Sequence, residues 1–201
     1  FKLMVELLGV KLPENIGLEL FMQDTSLFAG FAGEKFEGLV WPENGETMIG
    51  YKRLKNIEYC MRSVIENNIE GDVIETGVWK GGSCIFMKGL LDAFDATGRK
   101  VWVADSFEGV PAPNPKKYPH DAGLNLYEEK TLKISLEDVQ FNFLKYNLLD
   151  EKVVFLKGWF KDTLAGAPIE KLSVLRLDGD LYESTIDSLF YLYPKLAAGG
   201  Y

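Results

Sequence analysis

Glu75-Thr76-Gly77-Val78-Trp79-Lys80-Gly81-Gly82 follows the apolar pair Val73-Ile74 and precedes a helical stretch, so it marks the turn from a buried strand into a helix. Its three glycines remove the side chains that would block a ligand from the backbone, which leaves room for a small cofactor.

The acid at this turn bears on which cofactor fits. A pyrophosphate is held by helix N–H groups and is repelled by a nearby carboxylate, so Glu75 disfavours a dinucleotide. A cationic ammonium group, as in the methionine part of adenosylmethionine, gains from the same acid directly or through water. The spacing also departs from G-x-G-x-x-G, because Gly77 is followed by Gly81 and Gly82. Alone, the stretch is equally compatible with an ordinary tight strand-to-helix turn.

Further along, Ser83 to Ala96 reads as a helix closed by Thr97-Gly98, and Lys100 to Asp105 (KVWVAD) reads as a buried strand ending in an acid. Strand, glycine turn, helix and strand make one βαβ unit. An acid where Asp105 stands accepts hydrogen bonds from ribose hydroxyls in such units; it also serves as a plain N-cap or turn residue.

The 201 residues are 47% hydrophobic and 13% aromatic, enough to bury the core of one domain. With 22 basic against 30 acidic residues the net charge is -8, which opposes association with nucleic acid and with anionic membrane surfaces. No apolar run approaches the roughly 20 residues of a spanning helix. Cys60 and Cys84 form no C-x-x-C pair and read as buried reduced thiols, fitting the cytosol.

Residues 1–46 give scattered apolar positions and turn signals at Pro13, Gly17, Gly30, Gly33 and Pro42. From Thr47, read as an N-cap, Leu54, Ile57, Met61, Val64 and Ile65 share a helical stripe. Residues 106–131 hold Pro111, Pro113, Pro115 and Pro119 and read as a long lid. Ser135 with Asp138 caps a further helix. Lys152 to Lys157 and Lys171 to Leu177 are the third and fourth strands. Strands alternating with helices predict a mostly parallel sheet covered on both faces, with ligands at the carboxyl ends of its strands. Glu75, Asp105, Trp159 and Asp178 all lie at such ends and are expected to converge.

Trp159 offers an aromatic face and a backbone N–H for an adenine, or else packs in the core. Asp178 and Asp180, one glycine apart, suit a hard cation on one carboxylate and a substrate hydroxyl on the other; Asp180 and Glu183 alternatively begin a helix as dipole partners. His120, the single histidine, is either a base or solvent-facing.

Together these blocks resemble the macrocin O-methyltransferase family of class I adenosylmethionine-dependent enzymes, which methylate sugar hydroxyls of natural products. The resemblance runs from about Trp41 to Tyr201 through Thr47-Met48-Ile49-Gly50, IETGVWKGG (74–82), VWVADSFEG (101–109), YPHDAG (118–123), GWFKDTL (158–164) and LRLDGDLYEST (175–185). It implies a Rossmann-like α/β fold over residues 47–201, with 1–46 as a separate N-terminal segment. It implies further that Thr47 and Met48 border the cofactor, that Glu75 and Gly77 hold its methionine part, and that Asp105 and Ser106 meet the ribose, with Trp159 by the adenine and with Ser83 and Asp178 among the cofactor-binding residues. Mg²⁺ would be bound by Asp178, with Asp180 the general base on a small-molecule hydroxyl acceptor. Members tend to be oligomeric, so a homo-oligomer is implied as well.

The family carries further metal carboxylates on a strand just after residues matching Gly199-Gly200-Tyr201. The chain therefore reads as an excerpt, truncated after the fourth strand and its helix, and an open sheet edge is expected there. A catechol or phenol O-methyltransferase, a nicotinamide-dependent oxidoreductase and an inactive binding fragment remain the alternatives.

Overall fold

The computed structural model describes residues 1–13 and 17–201; of the N-terminal segment, residues 14–16 lie outside the described residues. Helices α1 (Lys2–Leu7), α2 (Leu18–Gln23), α3 (Thr25–Ala32), α4 (Glu34–Glu37) and α5 (Gly50–Glu66) come first. The sheet region follows as β1 (Asp72–Thr76), α6 (Gly82–Ala93), β2 (Val101–Asp105), α7 (Leu136–Lys145), β3 (Val153–Lys157), α8 (Phe160–Thr163), β4 (Leu172–Leu177) and α9 (Tyr182–Leu192). All pairings are parallel, in the order β3-β2-β1-β4.

The twofold alternation of side chains along each strand divides the core. Val73, Val101, Val103 and Val174 face one side, where they pack with residues of α1, α3, α5, α6 and α7. Ile74, Trp102, Ala104 and Leu172 face the other, against Leu164, Ile169 and Leu192. Both faces are thus covered, as the near-continuous apolar strands require. Trp102 is 1% exposed and its indole N–H donates to the Asp72 carboxylate at 2.8 Å, whose other oxygen accepts from Lys100 N.

Several expectations shift. Helix α5 starts at Gly50 rather than from a cap at Thr47; Thr47 is buried in the preceding bend, where its hydroxyl accepts from Ile49 N at 3.4 Å. Helix α6 ends at Ala93, three residues before Ala96. Cys84 is buried, but Cys60 is only half-buried. The capping box of Ser135 and Asp138 on α7 is present as read. Segment 106–131 is not structureless: it contains 3-10 turns at Pro119–Asp121 and Leu126–Glu128 and begins another at Lys130.

The outer edge of β4 is not left bare either. Ala197 N donates to Leu172 O, Tyr201 N to Ser173 O, and Leu175 N to Tyr201 O, so residues 196–201 pair along it in parallel sense.

Replacing Asp72 with Ala strands a buried indole N–H and a backbone N–H, and should cost about 2–3 kcal/mol. In a chain of this size that corresponds to a loss of about 4–12 °C in Tm, measurable by circular dichroism melts.

Candidate functional site

At the carboxyl ends of the strands a cavity of about 600 Å³ opens. Thr47, Met48, Glu75, Gly77, Ser83, Asp105, Ser106, Trp159, Asp178 and Asp180 all line it, so the four strand ends do converge. His120 does not line it; its ring is exposed and lies 5.1 Å from that of Tyr182.

Glycines let the elements meet. Gly77 has φ +84°, and a Cβ there would lie 2.5 Å from the Asp178 carbonyl oxygen, so the turns leaving β1 and β4 touch backbone to backbone. A Cβ on Gly82 would lie 2.5 Å from Glu46 O, and Gly82 N donates to that oxygen. The strip carrying Thr47 and Met48 is thereby laid over the start of α6. It is held from the other side by α1, because Glu46 N and Thr47 N both donate to Leu7 O. The Glu46 carboxylate accepts from Lys145 and from the Tyr146 hydroxyl, and Lys80 reaches the Glu43 carbonyl at 3.1 Å.

Asp105 ends β2 and closes the glycine turn. One oxygen accepts from Val78 N and the other from Phe107 N, each at 2.8 Å. Burial holds its carboxyl above the ordinary value, and these two N–H groups oppose that rise. A carboxylate has about four lone-pair sites, so capacity toward a ligand remains. The Ser106 hydroxyl is committed to its own turn, donating to Gly109 O and accepting from Glu108 N. Trp159 stands half-buried at the head of α8.

Glu75 is 1% exposed and does not present an open carboxylate. In the parallel register it lies beside Arg176, whose guanidinium pairs with it and also reaches Asp178 at 2.8 Å; the Cys84 thiol donates to its second oxygen. Burial raises the Glu75 carboxyl, Arg176 opposes that rise, and Asp178 adds to it. Any help Glu75 gives to a cation in the cavity therefore comes through its field and through the chain Glu75–Arg176–Asp178. Sequence reasoning missed Arg176, although a cation inside the apolar run LSVLRL demanded a partner.

Asp180 differs from its neighbour. Its carboxyl opens toward solvent at the cavity, no described residue gives it a hydrogen bond, and partial burial with the charges of Asp178 and Asp105 raises it above its ordinary value. Among the described lining residues seven carboxylates face three cations, which favours a positively charged ligand. No group of three or more His, Cys, Asp or Glu side chains arranged for a metal occurs among the described residues. Among them too, no helix is long and apolar enough to cross a membrane.

Comparison with known proteins gives a consistent result. The model of the macrocin-O-methyltransferase (TylF) family matches residues 22–201. A demethyldecarbamoylnovobiocin O-methyltransferase of Streptomyces niveus is 56% identical over 166 residues, covering 82% of this chain and 63% of that protein. A mycinamicin III 3''-O-methyltransferase of Micromonospora griseorubida is 50% identical over 177 residues, or 86% of this chain and 70% of the relative. The chain thus spans somewhat under two thirds of the first of these. The solved O-methyltransferase NovP superposes with a TM-score of 0.85 at 46% identity, over 99% of this chain and 79% of its own. The calicheamicin methyltransferase CalS11, at 18% identity and a TM-score of 0.58, shares the fold.

Replacing Arg176 with Met leaves Glu75 buried without its counter-charge and should cost about 3–5 kcal/mol near neutral pH. Loss of the cation raises the Glu75 carboxyl further above its ordinary 4.5. The folded form then binds the extra proton, so stability is retained below that ordinary value and lost as pH rises through the folded one. Denaturant titrations should show a deficit that grows with pH, and the double variant with Glu75→Gln should recover most of it.

Proposed function

Because this chain belongs to the macrocin-O-methyltransferase family, we propose that it transfers a methyl group from adenosylmethionine to a hydroxyl on the sugar of a glycosylated natural product. The observation that carries this reading is the convergence of Glu75, Asp105, Trp159, Asp178 and Asp180, from well-separated sequence blocks, on one acidic cavity of about 600 Å³. That volume lies in the usual range for small-molecule sites, and the carboxylate excess suits a donor with sulfonium and ammonium charges. The names of relatives from Streptomyces and Micromonospora support the acceptor class.

In this reading Asp105 accepts from the ribose with the lone pairs left by Val78 and Phe107, while Ser106 shapes the turn beneath it. Trp159 offers its face to the adenine. Gly77 lets the donor's methionine part approach the backbone, with Ser83 at the head of α6 and the field of Glu75 behind it. Thr47 and Met48 form the opposite wall.

A sugar hydroxyl is scarcely acidic near neutrality, so it needs a base and careful alignment with the methyl carbon. Asp180 is suited to take the proton: it takes no hydrogen bond from a described residue, and its carboxyl is raised toward the working range. Asp178 keeps one oxygen clear of Arg176 and is the residue that would hold Mg²⁺, a cation content with one or two protein carboxylates. Bound there, Mg²⁺ would stabilise developing negative charge on the acceptor oxygen. The active protein is expected in the cytoplasm, with no nucleic-acid or membrane partner, and as a homo-oligomer.

Titration calorimetry should give binding of adenosylhomocysteine and none of NAD. Methyl transfer is to be assayed with demethyldecarbamoylnovobiocin and mycinamicin III as acceptor probes, and transfer to a catechol but to neither glycoside would favour the phenol reading. Asp180→Asn should lower kcat about 10²- to 10⁴-fold while leaving adenosylhomocysteine affinity unchanged. Wild-type turnover in that variant removes Asp180 from the base role.

A further inference from the structure

Helix α9 begins without a cap of its own. Leu181 stands at the N-cap position, and its side chain cannot accept the N–H groups that a first helical turn leaves unbonded. Two of them are taken by a residue 61 positions upstream. One oxygen of Asp121 accepts from Tyr182 N at 2.7 Å and the other from Glu183 N at 3.2 Å. Asp121 is 1% exposed, so these are charge-assisted bonds largely shielded from water. The rings of Tyr118 and His120, from the same short turn, lie 6.1 and 5.1 Å from that of Tyr182. Residues 118–121 thus grip the first turn of α9.

Both gripped parts border the acceptor side of the cavity. Asp180 lies two residues before Tyr182, and Glu183, Ser184 and Asp187 line the cavity from α9 itself. The segment that carries Asp121 supplies part of the opposite wall, including Pro111 and Asn114. Its far end is pinned separately, by the Trp79 indole N–H donating to Thr131 O at 2.8 Å. Asp121 itself does not line the cavity.

We propose that Asp121 is the positioning residue of the acceptor side: its carboxylate fixes the start of α9, and with it Asp180, while holding segment 106–131 across that half of the cavity. The inference rests on the methyl-transfer reading and extends it. The donor half, built from Glu75, Asp105 and Trp159, has its own hydrogen bonds and does not depend on this contact.

The geometry calls for a carboxylate because two oxygens receive two N–H groups. Asparagine keeps one acceptor and puts a donor where the second stood; alanine keeps neither. The test therefore compares Asp121→Asn and Asp121→Ala with the unaltered full chain by amide hydrogen exchange, with adenosylhomocysteine bound. Exchange at Tyr182 and Glu183 and across residues 118–124 should quicken together, more in Ala than in Asn, while β1 and β2 are unaffected. With whichever glycoside probe the protein methylates, kcat/KM for the acceptor should fall about 10-fold in Asn and about 100-fold in Ala, as expected for a misplaced reacting group. Adenosylhomocysteine Kd should stay within about twofold of wild type, so that the loss falls on the acceptor alone. Should the Ala variant fail to fold, the Asn variant decides. Exchange that rises in the loop but not at the head of α9, acceptor kinetics left unchanged, or an equal loss of adenosylhomocysteine affinity would overturn the proposal. Absence of methyl transfer in the unaltered chain would count against the proposed function, and the exchange comparison would still decide the role of Asp121.

Discussion

The site depends on one juxtaposition: β4 lies beside β1 in parallel register, which sets Arg176 against Glu75 in the interior of the sheet. Neither charge is tolerable alone in that position, because removing an ion from water costs several kcal/mol unless a partner replaces the lost hydration. The pair is weak evidence for net stability, since an apolar pair of the same size would pack as well. Its consequence is positional. Arg176 also reaches Asp178, so the buried Glu75 anchors the first carboxylate of the exposed turn and leaves Asp180, two residues on, without an anchor of its own. Gly77 completes the arrangement by allowing the Asp178 backbone to pass where any Cβ would collide.

The two halves of the cavity are built differently. On the proposed reading the donor half comes from strand ends and the turns directly attached to them, where contacts between neighbouring strands hold Asp105 to Val78 and the Gly77 turn to Asp178. Such positions inherit the rigidity of the sheet. The half proposed for the acceptor relies on residues 106–131, which are tied to the rest of the protein by polar contacts at Asp121 and at Thr131. A common donor and a varied acceptor would favour this division, since loops change at little cost to the fold.

Most of the donor half was legible in the sequence because it is local. Strand, glycine turn, helix and terminal acid occupy residues 72–105, and their hydrophobic period and turn residues announce themselves within that stretch. The convergence of Trp159 and Asp178 followed from a rule about parallel sheets rather than from any local signal. What escaped was non-local. Arg176 takes its meaning from the register of β4 against β1, and Asp121 from a helix that begins 61 residues later. Glu46 carries no local signal, yet it is buried and bound by Lys145 and Tyr146, 99 and 100 residues away. Thr47 looked like a helix cap because threonine before an amphipathic stripe usually is one. Gly50 instead opens the helix with φ +80°, packed so closely on Gly38 that no side chain fits.

The electrostatics of the site connect its two halves through Asp180. Its carboxyl is raised by partial burial and by the charges of Asp178 and Asp105. These same acids are what make the cavity favourable for a cationic donor. Positive charge brought near them offsets their repulsion and lowers the Asp180 carboxyl toward its ordinary value. On the proposed reading, a base coupled in this way to its co-substrate needs no separate switch, only that carboxylates from β2 and β4 share one space. The parallel sheet supplies that condition by ending both strands at the same edge.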